Sequence, residues 1–129
     1  QKFLEKFKDP ENNGFITKKD NEICGYFFMK FKNTYPILKE NYVDINDNGY
    51  LSYEYVFKKY RGQKIQQFNI YNRLQMLKEK KFKTATAIIL KDNYASIRSF
   101  EKFGFKKCGI LYYFKFGKRI RSKDHVKII

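Results

Sequence analysis

The sequence predicts an α+β fold: a mixed, mostly antiparallel sheet with a central parallel pair of strands, flanked by helices. Three observations point there. Aromatic and β-branched runs around polar turn material mark strands, and they occur from Gly14 to Phe31 and again from Tyr50 to Phe57. A helical segment from Gln63 to Lys81 then leads into Thr84–Leu90, a short continuous apolar run that suits a strand buried on both faces. Strand, helix and buried strand make one βαβ unit, whose crossover is right-handed by strong default.

Taken in order, Phe3, Leu4 and Phe7 have helical spacing, and Pro10 ends that segment. Gly14–Thr17 and Ile23–Phe31 flank the polar stretch Lys18-Lys19-Asp20-Asn21-Glu22 and read as a hairpin. Asn46-Asp47-Asn48-Gly49 is a second turn cluster, feeding the aromatic-rich strand Tyr50–Phe57. In the long helix, Ile65, Phe68, Tyr71, Leu74 and Leu77 recur at three-residue steps with Ile70 beside them, and this face is expected to meet the core. A shorter helix from Ser96 to Phe103 carries Ile97, Phe100 and Phe103 inward and stops at Gly104. Strand character returns from Leu111 to Phe116. The basic stretch 117–129 is expected to be a partly mobile tail. All 129 residues fit one domain, long enough to bury a core without disulfides or a metal.

The formal net charge of +15 invites a nucleic-acid reading. Lysine heavily outnumbers arginine, however, beside abundant Asn, Ile, Tyr and Phe, which is the look of AT-rich codons. Specific readers of nucleic acid lean on Arg for bidentate contacts, so nucleic acid is not expected. The charge favours a phosphate-bearing or acidic partner instead. Cys24 and Cys108 match no metal or redox spacing and read as reduced, small buried side chains of a cytoplasmic protein. No run approaches the ~18 apolar residues of a membrane span.

Two segments imitate calcium loops: Asp9 to Asp20, and a second beginning at Asp44, each with Gly at the sixth place. The second has Tyr55 where a bidentate Glu should close the site. The segment after the first contains Gly25 and a run of aromatics, a poor exit helix. A calcium module would also leave the second half of the chain unexplained, so no metal is expected.

The chemistry is expected between strand and long helix, at Val56-Phe57-Lys58-Lys59-Tyr60-Arg61-Gly62-Gln63-Lys64-Ile65-Gln66. A loop opening a helix presents unpaired backbone N–H groups and the positive end of the helix dipole, which together attract an anion. Gly62 lets the backbone approach a phosphate, and Arg61 and Lys64 add charge.

This segment resembles the pyrophosphate-binding signature of the GNAT acyltransferases. A second stretch, Asn93-Tyr94-Ala95-Ser96-Ile97-Arg98-Ser99-Phe100-Glu101-Lys102-Phe103-Gly104-Phe105, is similar to the same family's later signature, in the right order and at the right spacing. The hairpin with Asp20-Asn21-Glu22-Ile23-Cys24-Gly25 also resembles its early strands. The resemblance implies an acetyl-CoA-dependent N-acyltransferase, passing an acetyl group to a primary amine, with acyl-CoA in a V between two splayed parallel strands. It implies that backbone near Val56, Phe57 and Lys58 holds the acyl carbonyl and pantetheine. Arg61, Gly62, Gln63, Lys64, Ile65 and Gln66 would then cradle the pyrophosphate, Asn93 would hold the pantetheine arm, and Ser96 and Phe100 would flank the thioester. A homodimer is left open.

The chain departs from the signature at Lys64 and Gln66, where the family has small residues, and it carries only a remnant of the helical region that normally precedes the hairpin. Phe100 stands where many members have a proton-donating Tyr, and Ile88 where some have a Glu base. Glu54 is the only carboxylate expected in the sheet core, and by strand alternation it shares a face with Val56. It is the candidate base. Tyr94, Tyr112 and Tyr113 are further candidate acids, and His125 reads as a surface residue. The rival to catalysis is a degenerate member that keeps the fold as a binding or regulatory module.

Overall fold

The computed structural model describes residues 8, 10–31, 34–38, 41–44, 48–115 and 118–128, with side chains at 8, 10–31 and 48–107. The Phe3–Phe7 helical segment lies outside them. β1 (Asn13–Lys19) and β2 (Glu22–Lys30) form the expected hairpin. Asp20 and Asn21 turn it with φ of 50° and 64°, the doubly left-handed turn whose twist suits a two-residue hairpin. β3 (Thr34–Leu38) and β4 (Asn41–Asp44) pair as a separate two-stranded sheet. The sequence analysis did not anticipate it.

β5 (Asn48–Val56), a 3₁₀ turn at Lys58–Tyr60, α1 (Ile65–Glu79) and β6 (Thr84–Leu90) form the expected βαβ unit. α2 (Tyr94–Glu101), β7 (Lys106–Lys115) and β8 (Lys118–Ile128) complete the chain. The main sheet runs β1-β2-β5-β6-β8-β7, antiparallel except between β5 and β6. That pair is in register from Asn48↔Thr84 to Leu51↔Ala87 and then parts, although the strands continue to Val56 and Leu90. A cause lies on the other edge of β5. Phe27 faces Glu54 while Met29 faces Leu51, so β5 carries an extra residue there, and such a bulge bends its strand. At the paired end, the buried Asn48 side chain accepts hydrogen bonds from Thr84 Oγ1 at 3.0 Å and Thr86 Oγ1 at 2.7 Å, which holds the register.

Three expectations need correction. Within the stretch 117–129, expected to be a mobile tail, the described residues are in a strand. Its residues 118–128 form β8, inserted between β6 and β7 and bonded to both. Backbone pairing on two edges outweighs the weak strand propensity of a charged sequence. The calcium reading also falls: β1 runs through the first loop and β5 through the second, and β2 stands where the first loop's exit helix would be required. The third concerns α1, which buries Ile65, Asn69, Ile70, Arg73 and Leu77 and leaves Phe68 54% and Tyr71 51% exposed. Three-residue steps slip about 60° around a helix each time, so the row from Ile65 to Leu77 winds off any one face. The buried row advances by four.

The core gathers Phe27, Met29, Leu51, Ile70, Leu77, Ala85, Ala87, Ile89, Phe100 and Phe105 between the sheet and the two helices. Gly49 is needed there, since a Cβ would sit 2.1 Å from Leu77 Cδ2. Cys24 is buried as expected, and its thiol donates to the Thr17 carbonyl at 3.3 Å. Among the described residues, no helix is long and apolar enough to cross a membrane.

Candidate functional site

A cleft of about 610 Å³ opens where β5 and β6 part. β5 supplies Glu54, Tyr55 and Val56 to its wall. The turn supplies Tyr60, Arg61, Gly62 and Lys64, the first turn of α1 Ile65, Gln66 and Gln67, and the start of α2 Asn93, Ala95, Ser96 and Ser99. Nine of the residues expected from sequence therefore meet: Glu54, Val56, Arg61, Gly62, Lys64, Ile65, Gln66, Asn93 and Ser96.

Four others lie outside the lining. Phe57 packs against the cluster of Cys24, Tyr60 and Ile65 under the loop. Lys58 is exposed at the start of the 3₁₀ turn. Gln63 accepts from Lys19 Nζ at 2.6 Å and donates to the Lys59 carbonyl at 3.3 Å. Phe100 is buried edge-on to Phe105, with ring centroids 4.9 Å apart. Tyr94 is 63% exposed. The side chains of Tyr112, Tyr113 and His125 are outside the described residues.

Backbone geometry gives the cleft two kinds of hydrogen-bonding edge. The Phe57 N–H donates to the Cys24 carbonyl at 2.9 Å, toward β2. By alternation, the N–H and C=O of Val56 point the other way, into the gap. Arg61 Nε reaches that carbonyl at 3.1 Å, and its guanidinium lies 5.5 Å from the Tyr55 ring centroid. The second edge is the N-terminus of α1. Its first intrahelical bond runs from the Phe68 N–H to the Lys64 carbonyl, and no side chain caps it. The N–H groups of Ile65, Gln66 and Gln67 thus precede the hydrogen-bond ladder, beside Arg61 and Lys64. Such an end suits an anion.

The loop takes a shape that favours glycine. Gly62 has φ +77°, and Lys64 has φ +61° in the left-handed region. The second is uncomfortable for a lysine, and it explains why a small residue belongs there.

Below the mouth, the wall becomes polar. Glu54 accepts hydrogen bonds from Asn69 Nδ2 at 2.7 Å and from Arg73 Nη2. Asn69 Oδ1 in turn accepts from Thr17 Oγ1 at 2.7 Å. The Arg73 side chain is 1% exposed, and its guanidinium lies over the Phe27 ring at 5.0 Å and the Phe100 ring at 5.9 Å. Burial pushes the Glu54 carboxyl above its usual range, and Arg73, Asn69 and Gln66 pull it back only in part. A base with raised affinity for protons is chemically apt here. Sequence reasoning missed Asn69 and Arg73. The signal was present: both lie on the four-residue row of Ile65 and Leu77, and a carboxylate in a sheet core calls for a counter-charge.

Solved structures share this architecture. The ribosomal-protein-S18-alanine N-acetyltransferase of Escherichia coli superposes with a TM-score of 0.73 over 99% of this chain and 74% of its own, at 13% identity. A GNAT family acetyltransferase from Elizabethkingia anophelis, with acetyl-CoA bound, gives 0.74 over 100% and 82%, at 17% identity. A putative streptothricin acetyltransferase from Bacillus anthracis str. Ames, in complex with acetyl coenzyme A, gives 0.71 over 98% and 66%, at 21% identity. Identities this low establish the fold alone. No curated protein sequence matches the chain. The sequence does match the acetyltransferase (GNAT) family over residues 1–105. With most of its length covered by that match, the chain belongs to the acetyltransferase (GNAT) family.

Proposed function

We propose that this protein binds acetyl-CoA in the cleft and transfers the acetyl group to a primary amine. The observation that carries the reading is the pairing of two edges around one gap. The Val56 backbone turned away from β2 suits the pantetheine amides, and the uncapped start of α1 suits the pyrophosphate. Two structural neighbours are described with acetyl-CoA bound, which supports the choice of cosubstrate.

In this reading, Arg61 and the N–H groups of Ile65 and Gln66 hold the phosphates, with Gly62, Gln63 and Lys64 shaping the loop. Phe57 and Lys58 set the strand end, Asn93 and Ser96 flank the pantetheine, and Phe100 backs the site from the core. The amine attacks the thioester carbonyl directly, so orientation and fixed hydrogen bonds supply much of the rate. Glu54 is the one carboxylate in the described lining. A carboxylate offers about four acceptor positions. Asn69 and Arg73 hydrogen-bond to Glu54, leaving it able to take the amine's proton through water.

Calorimetric titration with acetyl-CoA tests the reading. Saturable binding is expected, and Gly62→Asp should weaken it at least ~100-fold by placing a negative charge where the phosphates rest. A Cβ at Gly62 meets nothing within 4 Å, but its φ of +77° strains any side chain there, so Gly62→Ala, equally strained and uncharged, is the control against which the aspartate is compared. Absence of binding by the wild type would sink the proposal. For Glu54, the Gln variant should keep its affinity for acetyl-CoA and lose amine acetylation by ~10²-fold or more. Unchanged turnover would remove Glu54 from the base role.

A further inference from the structure

Between α1 and α2, the cleft wall carries a chain of hydrogen bonds with one loose end. Arg73 and Asn69 fix the Glu54 carboxylate by hydrogen bonds, and the nearby Gln66 amide also favours its charged form. A carboxylate only accepts, so it is the nitrogen end of the Gln66 amide that favours its charge. The same Nε2 donates to Ser96 Oγ at 2.8 Å. Ser96 Oγ has accepted one hydrogen bond and still carries a hydrogen of its own.

Among the described residues, no acceptor takes that hydrogen. Its neighbour Ser99 spends the equivalent hydrogen on the Ala95 carbonyl at 3.0 Å. The Ser96 backbone N–H is separately held by Asn93 Oδ1 at 3.3 Å. Ser96 is only 7% exposed and lines the cleft. A buried donor anchored from behind and open toward a cleft is set for a ligand acceptor.

We propose that the Ser96 hydroxyl donates a hydrogen bond to the sulfur of the departing coenzyme A thiolate, with Gln66 and Glu54 as its positioning residues. The inference rests on the acetyl-CoA reading. As the amine nitrogen bonds to the acyl carbon, the C–S bond breaks and its electron pair goes to sulfur. The amine's proton leaves through Glu54 or water, and a proton from solvent finally neutralises the thiolate. Ser96 keeps its own proton throughout, because an alcohol is too weak an acid to protonate a thiolate. Its contribution is to lower the energy of the charged sulfur. Phe100, one helical turn further on and packed into the core, has no donor for this task. Gln66 thereby gains a function at the signature position where the family has a small residue.

The test needs no acceptor amine. Coenzyme A itself is bound to the full chain, and its thiolate absorbance is followed against pH. The bound thiol should titrate below the free coenzyme in the wild type, and Ser96→Ala should raise it by about one pH unit, the worth of a hydrogen bond to a charged group. Ser96→Thr, which keeps a hydroxyl, should restore the wild-type value. Gln66→Leu should raise it by less than Ser96→Ala does. An unlowered thiol in the wild type, or equal values in wild type and Ser96→Ala, overturns the role of Ser96 while leaving coenzyme binding intact. Should Ser96→Ala fail to bind, Gln66→Leu decides, and an unchanged thiol there overturns the proposal. Failure of the wild type to bind coenzyme A removes the acetyl-CoA reading itself, and this inference with it.

Discussion

α1 and α2 flank the same cleft and pack on the same core, yet they bury different chemistry. α2 sinks Phe100 against Phe105, buries only the small neutral Ser96 beside it, and leaves Arg98 exposed, so its charge faces outward as its sequence announces. α1 sinks Asn69 and Arg73, at 0% and 1% exposure, and leaves Phe68 and Tyr71 half in solvent. The difference lies in what each helix faces. α2 meets aromatic and aliphatic surface, whereas α1 lies over Glu54, a carboxylate that the bulged β5 turns inward. A buried carboxylate without a cation is far more costly than two exposed aromatic rings. The helix therefore turns its cation inward.

The largest test of that account is Arg73→Met. It leaves Glu54 buried without its cation and should cost about 3–5 kcal/mol in urea unfolding. Adding Glu54→Leu should recover most of the loss, since an apolar pair of similar volume often replaces a buried ion pair at little cost. A double variant no more stable than the single would show that charge pairing does not set the face of α1.

A smaller effect is expected at the helix start. Lys64→Gly removes a side chain from a left-handed residue and should stabilise the fold by roughly 1 kcal/mol, read as a rise in thermal midpoint. Acetyl-CoA affinity should hold or improve. A large loss would instead make the Lys64 ammonium a phosphate ligand in its own right.

The smallest effect separates the two helices most directly. Phe68→Ser and Tyr71→Ser should each change stability by no more than about 0.5 kcal/mol, as expected for exposed positions. Losses above about 2 kcal/mol at either site would restore the three-residue row as the packed face of α1.

What the sequence by itself determined was local. The Asp20-Asn21 turn, the loop from Arg61 to Gln66 that opens a helix, the buried strand Thr84–Leu90 and the Asn93 cap of α2 all follow from neighbouring residues, whose chemistry restricts the backbone on the spot. Even the parity of Glu54 and Val56 survived, and both line the cleft. Tertiary structure decided the rest. β8 is a strand because β6 and β7 present edges on both its sides, and no property of its own charged residues announces those partners. The inward row of α1 depends on a carboxylate eleven or more residues earlier in the chain, and on a bulge that aims it. The bridge from Gln66 to Ser96 joins residues thirty apart, through a gap that exists only because β5 and β6 separate after Leu51 and Ala87. Turns and periodicity are written in adjacent residues. Which polar groups meet across a gap depends on how the sheet bends, and that is a property of the assembled chain.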